Sequence, residues 1–207
     1  DKDVANAIIY AVDNGASIIN MSFGKAHAWD KKAVDKAVKY AEKNDVLLVH
    51  AAGNDGKDND STENYPNDSY TKKRFLRKNK TKYVNNWIEV GAASWEKAEK
   101  IAAPFSNYGA KNVDVFAPGM QIYSTTPDGT YQNQQGTSMA SPVVAGVAAV
   151  LRSYYPSLTA EQVKNIIMES SVPVSDMVIK PGTKDEKVPF KNLGQSGGLI
   201  NAYEALQ

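Results

Sequence analysis

Apolar positions at the start of the chain recur with a helical period. Val4, Ile8, Ala11 and Val12 fall on one face, and Gly15 stands where a C-terminal cap belongs. The run Ser17-Ile18-Ile19-Asn20-Met21-Ser22-Phe23-Gly24 is short, apolar and ended by glycine, which predicts a buried strand. Val34, Ala37, Val38 and Ala41 mark a second helix with lysines on its other face. Val46 to Val49 predict a second buried strand, running out at Ala51-Ala52-Gly53-Asn54. Between Asp55 and about Tyr83 the periodicity stops, and the stretch of about 55–85 reads as a solvated surface insert. Trp87 to Ala92 is a third strand, and Val113 to Phe116 a fourth, ended by Ala117-Pro118-Gly119.

From Ser138 to Leu151 small and apolar residues surround the whole circumference, so this helix is expected to be covered on nearly all sides. Pro142 suits only a first turn, which sets the helix start near Ser138. Thr159 and Gln162 form a capping box for a helix running to about Glu169. Residues 173–197 read as loop, and a short helix from about Asn201 to Leu206 closes the chain. Helices alternating with buried strands predict an α/β fold, a doubly wound parallel sheet.

Composition narrows the function classes. The 207 residues carry 24 Lys+Arg against 23 Asp+Glu, a net charge of +1, so nothing global points to nucleic acid or an anionic membrane as partner. Cysteine is absent, which excludes disulfides, thiolate zinc sites and a cysteine nucleophile. Mean hydropathy is −0.45 and no apolar run is long enough to be a transmembrane segment. Within the insert, Asp55, Asp58, Asp60 and Glu63 lack the spacing of an EF-hand. The stretch Lys72, Lys73, Arg74, Arg77, Lys78, Lys80 and Lys82, with Tyr70, Phe75 and Tyr83 among it, sits in a chain that is otherwise not basic, which argues against nucleic-acid binding.

Candidate chemistry gathers at Gly136-Thr137-Ser138, a polar opening to an apolar helix. A helix start offers unpaired N–H groups and the positive end of its dipole. Alone, Thr137 or Ser138 is equally well an N-cap worth ~1 kcal/mol. Asn54, however, also ends a buried parallel strand, where open α/β sheets place their sites, and Ser22-Phe23-Gly24 ends the neighbouring one. Nucleophile, amide donor and open backbone edge make a coherent site for acyl transfer.

The segment GTSMASPVVAGVAAVL resembles the serine signature of the subtilases, the subtilisin-like serine proteases. INMSFG resembles their substrate-binding strand and HAAGNDG the strand carrying their oxyanion asparagine; FSNYGAKNVDVFAPG and GGLINAYEAL match in order and kind. The resemblance implies a subtilisin-like fold and a serine endopeptidase acting on polypeptides. It implies that Ser138 is the nucleophile, that Asn54 and the Ser138 N–H stabilise the oxyanion, and that Thr137 supports that hole. Ser22, Phe23 and Gly24 would pair with the substrate as an added strand. Ala51, Ala52 and Gly53 would wall a roomy, apolar primary pocket. Calcium is common in the family and is the candidate cofactor, though its binding loops are not evident in this sequence, and the expected location is extracellular or periplasmic.

In subtilases the order is Asp, His, Ser, and the first two precede the helix that opens this chain. The expectation is therefore that residues 1–207 are the C-terminal portion of a subtilase domain, incomplete at the N-terminal side. The catalytic Asp and His would lie in a missing N-terminal part, a necessary partner, and the segment alone would be inactive. His50 reads as a strand-end polar residue and His27 as a surface residue at the rim. The alternative is a non-catalytic peptide-binding module derived from a subtilase. An α/β-hydrolase fails because no histidine follows Ser138, and a Ser-Lys hydrolase because Ser141 stands where lysine is needed. Serine-carboxyl peptidases, which use Glu and Asp, stay open on these residues.

Overall fold

The computed structural model describes residues 1–72, 80–96 and 98–207. In chain order the elements are α1 (Lys2–Asp13), β1 (Ile18–Met21), α2 (Lys31–Lys43), β2 (Leu47–Ala51), β3 (Ser69–Lys72), β4 (Lys80–Tyr83), β5 (Trp87–Ala93), β6 (Val115–Pro118), β7 (Ile122–Thr126), β8 (Thr130–Gln134), α3 (Thr137–Tyr154), α4 (Ala160–Glu169), β9 (Val172–Pro173), β10 (Met177–Ile179), β11 (Lys187–Pro189), β12 (Gly198–Leu199) and α5 (Ala202–Ala205). The main sheet runs β1-β2-β5-β6-β12-β9, parallel except for β9.

Strands buried on both faces read as near-continuous apolar runs, and β2 is one, interrupted only by His50. Leu47 and Val49 join Ile88, Val90, Val115 and Ala117 beneath α3, α4 and α5. Leu48 points the other way, with Trp87 and Met21, beneath α1 and α2. Each such side chain contributes roughly 1.5–3 kcal/mol by leaving water. The sheet is therefore doubly wound. Thr159 and Gln162 make the predicted capping box, with Gln162 N–H donating to Thr159 Oγ1 at 3.2 Å and Thr159 N–H to Gln162 Oε1 at 2.9 Å.

Several expectations need correction. The predicted strand over 17–24 hydrogen-bonds only from Ile18 to Met21, and Ser22–Gly24 run on beyond its end. The insert is more than a solvated loop. Its β3–β4 hairpin is antiparallel, and its first half is tied to the main body where Asp60 accepts from the Lys111 and Asn112 amides. Lys73, Arg74, Phe75, Arg77 and Lys78 lie outside the described residues. The stretch 173–197 is not merely loop: β10 and β11 pair, and Val178, Phe190 and Leu193 are buried against Phe116. Three isolated apolar residues among charges carry too little periodicity to be read. The β7–β8 hairpin leaves no apolar pattern in the sequence, because its residues are nearly all exposed.

Helix α3 departs in two ways. It begins at Thr137, so Pro142 is its sixth residue and lies in the second turn. A proline there withholds the N–H that would reach the Ser138 carbonyl. Ser22 Oγ supplies the missing donor at 2.9 Å. Nor is α3 covered all round: Pro142, Gly146, Ala149 and Val150 are exposed. Ile18 and Ile19 of β1 are half-buried, and among the described residues β1 pairs only on its β2 side.

Candidate active site

The carboxyl ends of β1 and β2 meet the start of α3, bringing the sequence-predicted residues together. Gly136 adopts φ of +146°, a backbone conformation suited to glycine, and lets the chain turn from β8 into the helix. Asn54 Oδ1 accepts from Thr137 N at 2.8 Å and from Thr137 Oγ1 at 3.0 Å. Thr137 Oγ1 itself accepts from Gly53 N at 3.1 Å. Because its oxygen is held on Thr137, the Asn54 carboxamide turns Nδ2 away from that residue. The point where a Cβ on Gly136 would stand is 3.5 Å from Asn54 Nδ2 and 3.6 Å from Ser138 N. Among the described residues neither nitrogen has an acceptor. The two donors, with Asn54 Oδ1 also 3.6 Å away, thus lie near one point beside Gly136, at the N-terminus of an 18-residue helix. Such an arrangement can stabilise developing negative charge on an oxygen.

The backbone at Phe23 and Lys25 is held from the inner side. In an extended chain the peptide groups of alternate residues face opposite edges. The Phe23 carbonyl accepts from His50 Nε2 at 2.7 Å, and Lys25 exchanges backbone bonds with Tyr65 at 3.0 and 2.9 Å. Ser22 and Gly24 then face the other edge. The Ser22 carbonyl accepts from Ser138 Oγ at 3.2 Å, and Gly24 has no backbone partner among the described residues. That edge can take an extended peptide as an added strand. A second thread fastens it: Ser141 Oγ donates to Asn20 Oδ1 at 2.6 Å, and Asn20 Nδ2 to Ser22 Oγ at 2.9 Å.

Ala51 and Ala52 are buried and offer backbone rather than side chains. The Ala52 carbonyl accepts from three amides, those of Asn59, Asn64 and Asn107, each at 3.0 Å. Asn107 Oδ1 in turn accepts from the Asp55 and Lys57 N–H groups. Asn64 also packs on Gly24, where a Cβ would stand 2.7 Å from its Oδ1. Its polar side chain therefore stands between Gly24 and Ala52, a polar group that the expected roomy, apolar wall of Ala51, Ala52 and Gly53 did not include. Asn59 and Asn64 lie in the insert, whose lack of pattern hid them; Asn107 carries no local signal beyond its place in FSNYG.

The two histidines are elsewhere. His27 is exposed. His50 is not a strand-end polar residue but fully buried, registered across the sheet with Glu89. Its Nδ1 lies 2.9–3.0 Å from the Glu89 carboxylate, which also accepts from Trp87 Nε1 at 2.8 Å. Both ring nitrogens are engaged, and neither touches Ser138. Beyond Glu89 the polar lining continues. Glu89 N–H donates to Asp114 Oδ2 at 2.7 Å, and Lys164 pairs with Asp114 Oδ1 at 2.8 Å. Burial pushes the Asp114 carboxyl up, against the pull of Lys164. Asp68 is raised to about 6, mainly by burial and further by the Asp114 and Glu89 charges, with Lys164 opposing. These groups line a hollow of about 880 Å³ under the insert, a different place from Ser138.

Two of the insert carboxylates are engaged by the backbone. Asp60 is spent on two backbone amides, Asp58 Oδ1 accepts from Asp60 N, and among the described residues no group of three His, Cys, Asp or Glu gathers around one point. Among those residues, too, no helix is long and apolar enough to cross a membrane.

Comparison with known proteins bears on the same segments. A family model described as the Subtilase family matches residues 1–198. Subtilisin DY of Bacillus licheniformis is 39% identical over 176 residues, covering 84% of this chain and 56% of that protein. Thermitase of Thermoactinomyces vulgaris is 36% identical over 204 residues, 99% of this chain and 59% of that protein. The solved structure of the prenylagaramide maturation protease PagA superimposes with a TM-score of 0.71 at 29% identity, covering 99% of this chain and 66% of that one. The chain thus spans less than two thirds of the length of each of these relatives. With nearly its whole length matched by the family model and its α/β sheet superimposing on a protease of like architecture, the chain belongs to the subtilase family.

Proposed function

We propose that the chain supplies the nucleophile and oxyanion side of a subtilisin-type serine endopeptidase. One observation carries this reading: Asn54 Nδ2 and Ser138 N, both without an acceptor among the described residues, stand within 3.6 Å of one point beside Gly136, with the Asn54 oxygen held on Thr137. Ser138 Oγ attacks the scissile carbonyl carbon as a general base takes its proton, forming the C–O bond of a tetrahedral species that becomes the acyl-enzyme ester when the amine leaves. The negative charge moves to the carbonyl oxygen, which the two N–H donors receive. The C–N bond then breaks as that base passes the serine proton to the leaving amine, and water releases the acyl group. The edge at Ser22 and Gly24 holds the peptide, and Asn64 limits the side chain that precedes the cut.

The base and its carboxylate partner come from polypeptide other than residues 1–207. Three observations support this. Neither histidine contacts Ser138, β1 has an unpaired edge among the described residues, and the exposed strip of α3 at Gly146, Ala149 and Val150 is apolar. A segment that pairs with β1 and covers this strip completes both sheet and site.

Reaction of the full-length protein with a fluorophosphonate tests the proposal. The expected result is covalent labelling that Ser138→Ala abolishes, and little labelling of residues 1–207 alone. A full-length protein that binds peptides yet resists the probe supports the peptide-binding module instead.

A further inference from the structure

Behind the substrate edge lies a buried polar pair that the proposed chemistry leaves unused. His50 and Glu89 face each other across β2 and β5, 39 residues apart in sequence. Their hydrogen-bond partners settle where the protons are. His50 Nε2 meets the Phe23 carbonyl, which only accepts, so Nε2 carries hydrogen. Nδ1 meets a carboxylate already accepting from the Trp87 indole, so a second proton lies between His50 and Glu89. The imidazole is thereby fixed at both ends. Trp87 packs on it with ring centroids 5.1 Å apart, and Phe23 meets it edge-on at 6.3 Å.

Resting on the protease reading, the geometry points to His50 as a positioning residue for the substrate edge. It acts through the Phe23 carbonyl. Phe23 has its peptide oxygen on the inner edge, so the flanking Ser22 and Gly24 turn theirs outward. The His50 bond and the Lys25–Tyr65 bridge are the two inner anchors of this segment, which lies beyond the end of β1 and lacks ladder pairing of its own. Glu89 and Trp87 keep the imidazole from rotating. An incoming peptide then meets a preformed edge and spends less binding energy on ordering it.

Two conservative variants separate positioning from bulk structure. An asparagine amide falls near the place of Nδ1, and a glutamine amide near that of Nε2. His50→Asn keeps the Glu89 contact and loses Phe23; His50→Gln keeps Phe23 and loses Glu89. In the full-length protein, His50→Asn is expected to raise KM for a tetrapeptide substrate about tenfold, the loss of one buried hydrogen bond, with kcat and the hydrolysis of a minimal ester within about twofold. His50→Gln, which keeps the Phe23 bond but loses the Glu89 brace, should raise KM for the tetrapeptide by clearly less than His50→Asn and leave the ester within about twofold. Equal behaviour of the two variants, or parallel losses on peptide and ester, overturns the inference. If the wild type hydrolyses neither substrate, the protease reading fails by itself, and amide hydrogen exchange at Lys25 decides. Faster exchange in His50→Asn than in His50→Gln upholds the anchor; equal exchange overturns it.

Discussion

Thr137→Val removes a single hydroxyl at nearly constant volume and probes the whole arrangement at the helix start. Thr137 is fully buried. Its Oγ1 accepts from Gly53 N at 3.1 Å and donates to Asn54 Oδ1 at 3.0 Å. Valine leaves the Gly53 N–H without an acceptor, a cost of about 1–3 kcal/mol. It also leaves Asn54 Oδ1 with one donor, Thr137 N at 2.8 Å, a further loss of about 1 kcal/mol. The extra apolar contact offsets part of this, so the net destabilisation is about 2 kcal/mol. For a chain of 207 residues that lowers Tm by roughly 4–8 °C. Thr137→Ser keeps the hydroxyl and should lose under about 1 kcal/mol. Urea unfolding of the two variants beside wild type measures the difference, with m unchanged. Fluorophosphonate labelling of the full-length protein follows the function: a carboxamide freed on one side points Nδ2 less well, so the valine variant should label at least tenfold more slowly, about the 1.4 kcal/mol worth of one weakened donor. Stability within about 0.5 kcal/mol of the serine variant, with equal labelling, would refute the idea that Thr137 locks Asn54.

Two further outcomes are expected. Asp68 is held up to about 6 against its usual value near 3.8, so the folded state binds this proton more tightly than the unfolded chain does. Its contribution is full below pH 4 and is lost as pH rises through 6; Asp68→Asn should therefore gain about 1–3 kcal/mol over wild type at pH 8 and nothing at pH 3, and urea midpoints that differ equally at both would contradict it. Asn64→Gly empties the gap between Gly24 and Ala52, and should shift cleavage about tenfold towards peptides with a large side chain before the scissile bond, as read by mass spectrometry of a peptide library. An unchanged cleavage profile would remove Asn64 from the specificity pocket.

The elements with strong periodicity were legible from the chain. Leu47-Leu48-Val49 announced a strand covered on both faces, and Thr159 with Gln162 announced a helix start. Asn54 and Ser22 were legible because each ends an apolar run, and Ser138 because it opens one. Their mutual geometry was not. Asn64 sits in a stretch with no period, yet it donates to a carbonyl 12 residues away and shapes the pocket. Pro142 was read by the rule for a first turn, but a hydroxyl 116 residues distant meets the carbonyl it leaves free, so the second turn tolerates it.

What the chain determined by itself is local: the alternation of helix and strand, the doubly wound class, the serine that opens a helix, and family membership. Those follow from periodicity and short motifs, which act over a few residues. Only the tertiary structure decided that His50 is buried on Glu89, that Asn54 fixes its oxygen on Thr137, and that one side of α3 stays bare. Each depends on which strands become neighbours, and hydrogen bonds are directional over about 3 Å, so no spacing along a sequence contains them.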